Sequence, residues 1–169
     1  MTLIEVLVTV FILVVGLLGM AGLQSRLQQS EMEAYQRSQA LLLLQDMAGR
    51  MTSNRNAVAG YVSTGYAAGA CPASTTTQKD RDLSEWCNAI QGAGETSGTS
   101  KVGAMIGGRG CVASLGSGQY LITVAWQGLT PQAAPPSSVS CGQNNYNGGN
   151  CVNDQCRRVA TTVVRIATL

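Results

Sequence analysis

The sequence predicts an α+β fold, a long N-terminal α-helix packed on a small antiparallel β-sheet and stabilised by disulfides. Three observations predict it. The first fifty or so residues carry helical spacing, and no proline interrupts the chain before Pro72. Beyond residue 110 the apolar pattern changes to period two, the signature of strands. All six cysteines (Cys71, Cys87, Cys111, Cys141, Cys151 and Cys156) fall after residue 70.

The helix begins in an apolar run. Between Met1 and Leu23 the single charged side chain is Glu5, and the only other polar ones are Thr2 and Thr9. At about 1.5 Å per residue the run reaches roughly 35 Å, enough to span the hydrocarbon of a bilayer. A charge at membrane depth costs roughly a few to more than ten kcal/mol and as a rule has a function. Gly16, Gly19 and Gly22 suit both close helix packing and a stretch able to loosen, at about 1 kcal/mol per Gly relative to Ala. The start has no basic region and no cleavage site behind the apolar run, so it does not read as a secretory signal peptide.

An apolar stripe continues through Leu23, Leu27, Ser30, Ala34, Arg37, Leu41, Leu44, Ala48 and Met51. The helix is expected to end near Ser53-Asn54, with the Leu41 to Leu44 cluster docking the globular part. This divides the chain into 1–24, a transmembrane or core helix, and 25–169, a globular domain. The domain comprises helix 25–53, a loop and short helix over 55–110, and a sheet with a cysteine-rich loop over 111–169.

Residues 55 to 80 read as a connecting loop, with the low-complexity run Ser74-Thr75-Thr76-Thr77. Asp82 with Glu85 three residues later is a helix-start signal, opening a helix from Leu83 to Gln91 that Gly92 stops. Cys87 on that helix and Cys71 in the loop before it form the first expected disulfide. The acidic cluster Asp80, Asp82 and Glu85 reads as capping and solvating the helix rather than as a calcium site, since further oxygen ligands in the required order are missing. Cys111 to Leu115 and Tyr120 to Trp126 flank Gly116-Ser117-Gly118 as a hairpin. Tyr120 and Trp126 share one strand face and read as core. A third strand runs from Arg158 to Ile166, and the polar loop 128–156, with three cysteines, is expected to be tied down.

Composition narrows the function. Of 169 residues 45% are hydrophobic but only 5% aromatic, and much of the apolar content lies in the first quarter. The globular part therefore has a small core that needs covalent support. Six cysteines behind a membrane segment point to three disulfides in an exported domain. A structural zinc is the weaker reading of Cys151-x4-Cys156, because the chain has no histidine and no tight Cys-x2-Cys pair. Without histidine there is no His-based relay, and Gly107-Gly108-Arg109-Gly110 lacks the strand–turn–helix context of a phosphate loop. The reading is a non-enzyme with no metal and no cofactor. A net charge of +2 with dispersed bases gives no nucleic-acid-binding face.

The run Met1-Thr2-Leu3-Ile4-Glu5-Val6-Leu7-Val8 resembles the mature N-terminus of type IV pilins and of the pseudopilins of type II secretion. The run from Gly16 to Gln24, the hairpin end Val124 to Gly128 and the pair Arg157-Arg158 resemble the PilV family of minor pilins. The resemblance implies the type IV pilin fold and processing by a prepilin peptidase that methylates the new N-terminus. It also implies a salt bridge between Glu5 and the N-terminal amine of a neighbouring Met1. Two departures stand out. Met1 occupies the place of the usual phenylalanine, and six cysteines replace the usual single C-terminal disulfide. Cys111, Cys141, Cys151 and Cys156 then allow three pairings, of which Cys141–Cys151 with Cys111–Cys156 is favoured.

The implied function is a minor pilin that initiates the type IV pilus in a low-abundance tip complex and supports twitching motility and adhesion. Its implied partners are other minor pilins, the major pilin, the inner-membrane assembly platform, the prepilin peptidase and, before assembly, the membrane. The implied location is the inner membrane with a periplasmic domain, then the extracellular pilus tip. The rival readings are a minor pseudopilin of type II secretion and a tip adhesin or DNA-uptake pilin.

Overall fold

The computed structural model describes residues 2–66, 71–98, 100–101, 103 and 105–167. The chain divides into two compact units, Met1–Tyr35 and Gln36–Leu169. The first is helical from Leu3 onward. Helix α1 spans Leu3–Ser53 and so contributes to both units.

Within the second unit α1 buries Gln36, Ala40, Leu43, Leu44, Met47 and Met51, a stripe at three- and four-residue spacing. The stripe is rotated from the expected one. Arg37, Leu41 and Leu42 are exposed, and only the Leu43–Leu44 half of the leucine cluster docks the domain. The helix ends with Arg50 in its last turn, where a cation meets the negative end of the helix dipole. Asn54, at φ −112° and ψ 49°, then leaves the helical region.

The expected loop 55–80 holds more structure than its composition suggests. A 3-10 helix spans Arg55–Tyr61 and strand β1 spans Ser63–Tyr66. Helix α2 spans Gln78–Ile90 and starts earlier than Asp82. Its N-cap is Thr77, whose hydroxyl accepts the Asp80 N–H, while the Asp80 carboxylate accepts the Thr77 N–H.

The short strands β2 (Thr96–Ser97) and β3 (Ser100–Lys101) form a separate ribbon. Strands β4 (Arg109–Gly116), β5 (Gln119–Gln127) and β6 (Arg157–Arg165) complete the main sheet, which is antiparallel in the order β1-β4-β5-β6. Ser117 (φ 52°) and Gly118 (φ 71°) form a two-residue hairpin turn with both φ positive, the geometry that matches strand twist.

Val112, Tyr120, Ile122, Val124 and Trp126 on one sheet face join the α1 stripe, Tyr61, Trp86 and Ile90 in one core. Trp86 is fully buried, and its Nε1 donates to the Leu43 carbonyl at 2.9 Å. Gly110 makes room for it: a Cβ there would lie 2.3 Å from the indole. The opposite face carries a second, smaller core of Cys111, Ala125, Cys141 and Tyr146. Loop 128–156 supplies two of those four residues, so β5 is buried on both faces.

The structure pairs Cys71 with Cys87, Cys111 with Cys141, and Cys151 with Cys156. The favoured Cys141–Cys151 and Cys111–Cys156 pairings are corrected. Cys111 lies on the sheet face crossed by the loop, beside Cys141 in the smaller core. Asn153 (φ 52°) and Asp154 (φ 62°) are both left-handed, a conformation Asn and Asp tolerate better than most residues. They turn the chain back so that Cys156 meets Cys151, a local closure that cysteine spacing alone does not reveal.

Candidate functional site

In the first unit, every large apolar side chain from Leu3 to Leu23 is between 47% and 85% exposed. Among the described residues, α1 is the helix long and apolar enough, by length and composition, to cross a membrane. Glu5 lies in its first turn, and the Glu5 N–H donates to the Thr2 carbonyl at 3.0 Å. A carboxylate there gains about 0.3–1 kcal/mol from the helix dipole. That is less than the several kcal/mol the same charge costs in an apolar environment. Local helix electrostatics therefore do not account for Glu5. Met1, the expected donor of its counter-charge, lies outside the described residues. Gly16, Gly19 and Gly22 each face open space: a Cβ added at any of them would meet nothing within 4 Å.

In the second unit, Arg50 is a hub where three carboxylates converge. It reaches Asp46 at 3.0 Å, Asp82 at 3.2 Å and Glu85 at 2.7 Å, linking α1 to α2. Burial disfavours its charge, but the hydrogen bonds it donates to the Glu85 and Asp46 carboxylates outweigh burial and hold its pKa above the ordinary value. Asp82 is buried and is neither cap nor solvated face as expected. It accepts hydrogen bonds from the Tyr61 hydroxyl and from Gln78 Nε2 (2.8 Å). Burial, and then the bond to Asp82, push the Tyr61 phenol up to about 12. The acids of the expected cluster thus have three different tasks: Asp80 caps α2, Asp82 pairs with Tyr61 and Arg50, and Glu85 pairs with Arg50. The adjoining groove, lined by Gln45, Gly49, Asn54 and Gln78 among others, is open and polar.

Loop 128–156 is held from within by Arg157. This side chain is 1% exposed, pairs with Asp154 at 3.2 Å, and donates to the carbonyls of Val139 (2.6 Å) and Cys141 (3.1 Å). Asp154 in turn accepts the Asn144 N–H at 2.7 Å. Tyr146 donates to the Gly107 carbonyl at 2.8 Å, and burial pushes its phenol up to about 12. The loop is an ordered cover on the sheet, fastened by one disulfide to β4 and by one buried ion pair. Tyr120 and Trp126 are both in the core.

Sequence reasoning missed Arg50 and Arg157 as organising residues. Two signals were available: an Arg four residues after Asp46, and an Arg directly after Cys156. Neither signal says which distant carbonyl or carboxylate the guanidinium reaches. Among the described residues no group of His, Cys, Asp and Glu is arranged to hold a metal ion, and all six cysteines are in disulfides.

A family model described as type IV pilin Tt1218 (Tt1218-like) matches residues 22–96. That segment takes in the second half of α1, Cys71, Cys87 and α2. No curated protein and no solved structure matches. The match supports the type IV pilin superfamily. Together with the long helix, the small antiparallel sheet and the disulfides, it gives an α+β pilin fold.

Proposed function

We propose that this chain is a minor pilin of the type IV pilus that helps initiate the pilus within a low-abundance tip complex, a reading that the match of residues 22–96 to a type IV pilin family model supports. One observation carries the reading most directly. The run from Leu3 to Leu23 is apolar on all sides, exposed, and broken by one carboxylate. Such a segment is stable only in lipid or against similar helices. Before assembly it would anchor the subunit in the inner membrane, with the disulfide-tied unit in the periplasm. During assembly it would join the filament core, where Glu5 would pair with the N-terminal amine of a neighbouring Met1 and set axial register. The finer likeness to PilV rests on Gly16 to Gln24, Val124 to Gly128 and Arg157-Arg158. By the same reading the partners are other minor pilins, the major pilin, the assembly platform and a methylating prepilin peptidase.

Breaking a buried ion pair by removing one partner costs about 3–5 kcal/mol, which is roughly 100- to 4000-fold in an association equilibrium. Glu5→Ala should therefore leave the disulfide-tied unit folded and the protein in the membrane, while its amount in sheared pili falls at least about 100-fold. Quantitative immunoblotting of both fractions measures this. Normal incorporation would sink the proposal. Deletion of the protein should cost pili and twitching; retained pili with lost enzyme secretion would move the reading to a minor pseudopilin.

A further inference from the structure

The short ring closed by the Cys151–Cys156 bond is the point to which the rest of loop 128–156 is tied. The Gly128 N–H donates to the Cys156 carbonyl at 2.7 Å, and the Gln132 N–H donates to the Gln155 carbonyl at 2.8 Å. The Asn144 N–H donates to the Asp154 carboxylate, and the Asp154 N–H donates to Asn147 Oδ1 at 2.9 Å. Gly148 and Cys151 exchange a pair of backbone bonds. Beside the ring, Arg157 pairs with Asp154 and holds the carbonyls of Val139 and Cys141. The ring keeps Asn153 and Asp154 together in the left-handed region, where neither has the freedom of glycine. Of the three bonds it is also the one whose loss costs the folded domain least. It has a sequence separation of 5, against 16 and 30 for the others, and a short loop constrains the unfolded chain least. Cys111 and Cys141 are both buried. Cys151 is half-buried between exposed residues, Gly149 and Asn150 before it and Val152 and Asn153 after it, which gives a thiolate access to its sulfur. Cys71 is half-buried too, but opening its bond to Cys87 frees no part of the loop.

We propose that the Cys151–Cys156 bond is a redox-sensitive latch on loop 128–156, opened by an external dithiol. One thiolate of the dithiol attacks Cys151 Sγ, the Cys151–Cys156 bond breaks, and Cys156 leaves as a thiolate. The second thiol of the dithiol then attacks the mixed disulfide and releases Cys151. The dithiol is thereby oxidised to a disulfide, and the two cysteines, reduced, take up the two protons it gives up. Without the ring, Asn153 and Asp154 are free to leave the left-handed region. Asp154 then moves away from Arg157, which is left buried without its counter-charge, and the loop relieves this by lifting. The sheet face around Ala125 and Val159 is uncovered as it does so. Cys111–Cys141 stays closed and tethers the loop to β4, so the movement is reversible.

The test titrates the full chain in detergent with dithiothreitol, traps free thiols with iodoacetamide, and reads them by peptide mass mapping. Cys151 and Cys156 should be alkylated first, with the other four cysteines still bonded. At that stage amide hydrogen exchange at Gly128, Gln132 and Asn144 should speed up at least about tenfold, while exchange along β5 stays as it was. Oxidised glutathione should then restore the original protection. The double change Cys151→Ser with Cys156→Ser should show the faster exchange without reductant, and dithiothreitol at the same concentration should change it no further. Earlier opening of either other bond, an opened ring with unchanged exchange in the loop, or loss of β5 protection together with that of the loop would each overturn the proposal. A double variant that does not fold would overturn it as well, because a latch must open without loss of the domain. Glu5→Ala should titrate as the parent does, so failure here is separate from failure of the assembly reading.

Discussion

The two units of the chain treat apolar surface in opposite ways. From Leu3 to Leu23 all the large apolar side chains are exposed, and in the described part of that unit there is no interior to receive them. From Gln36 onward the sequence is poor in aromatics, yet β5 is covered on both faces and every cysteine is bonded. The first unit can complete its burial only in lipid or against other helices. The second completes it internally, with covalent and ionic links making up for a small core. Substitutions in the first unit should therefore show up as lost assembly, and substitutions in the second as lost stability.

The sharpest way to break this comparison is at the buried pair behind the loop. Asp154→Asn tolerates the left-handed backbone at that position but leaves Arg157 buried without its counter-charge. It should lower unfolding free energy by about 3–5 kcal/mol, measured by denaturant titration of the full chain in detergent. The far-ultraviolet helical signal of the apolar segment should persist through that transition. Next is the bond across the outer sheet face. Cys111 and Cys141 close a loop of sequence separation 30, so the double change to serine should cost about 3–4 kcal/mol. If either change left stability untouched while abolishing incorporation into pili, loop 128–156 would be an assembly surface and not a structural cover.

These residues also show what the sequence could and could not reveal. The long helix, the hairpin and the last strand were legible because each follows a repeating period over many residues. Glu5 was legible for the opposite reason, as the one charge in an otherwise uncharged run. Strand β1 was hidden because Ser63-Thr64-Gly65-Tyr66 has almost no strand signal and is held by its pairing with β4. The rotation of the α1 stripe was hidden because leucines occur on both sides of residues 41–44, and only tertiary contact selects between them. Arg50 and Arg157 were hidden because a long cationic side chain reads as solvated until its distant partners are known. The cysteine pairing was hidden in its second half because two left-handed residues, Asn153 and Asp154, decide it.

A smaller and pH-dependent effect should come from the tyrosines. Tyr61 and Tyr146 are held neutral in the folded state, each with its phenol pushed up to about 12 by burial, aided at Tyr61 by the hydrogen bond to Asp82. The ordinary phenol value is about 10. Because the folded value is the higher one, this contribution is complete below about pH 10 and is lost as pH rises toward about 12. The denaturation midpoint of the full chain should fall across that window. Tyr61→Phe should make the fall shallower, and near neutrality should cost about 1–3 kcal/mol by leaving Asp82 short of a donor. An unchanged alkaline slope would mean that the α1–α2 junction is open to solvent.

The smallest effect should come from the cap of α2. The Thr77 hydroxyl accepts the Asp80 N–H at 3.2 Å, and Asp80 returns a bond to the Thr77 N–H at 3.3 Å. Hydrogen bonds from Thr77, then Lys79, hold the Asp80 carboxyl well below the usual carboxylate range. A depressed folded value gives a contribution present above about pH 4 that is lost as pH falls through the folded value. Thr77→Ala should thus cost about 1 kcal/mol at neutral pH and reduce the acid-side slope, with denaturation followed at several pH values as the check. The loss should stay this small because α2 is also fixed by the Cys71–Cys87 bond, by buried Trp86 and by the carboxylates that reach Arg50. A loss of several kcal/mol would mean that those links do not hold α2 without its cap, and that the second unit is less firmly closed on itself than its contrast with the first requires.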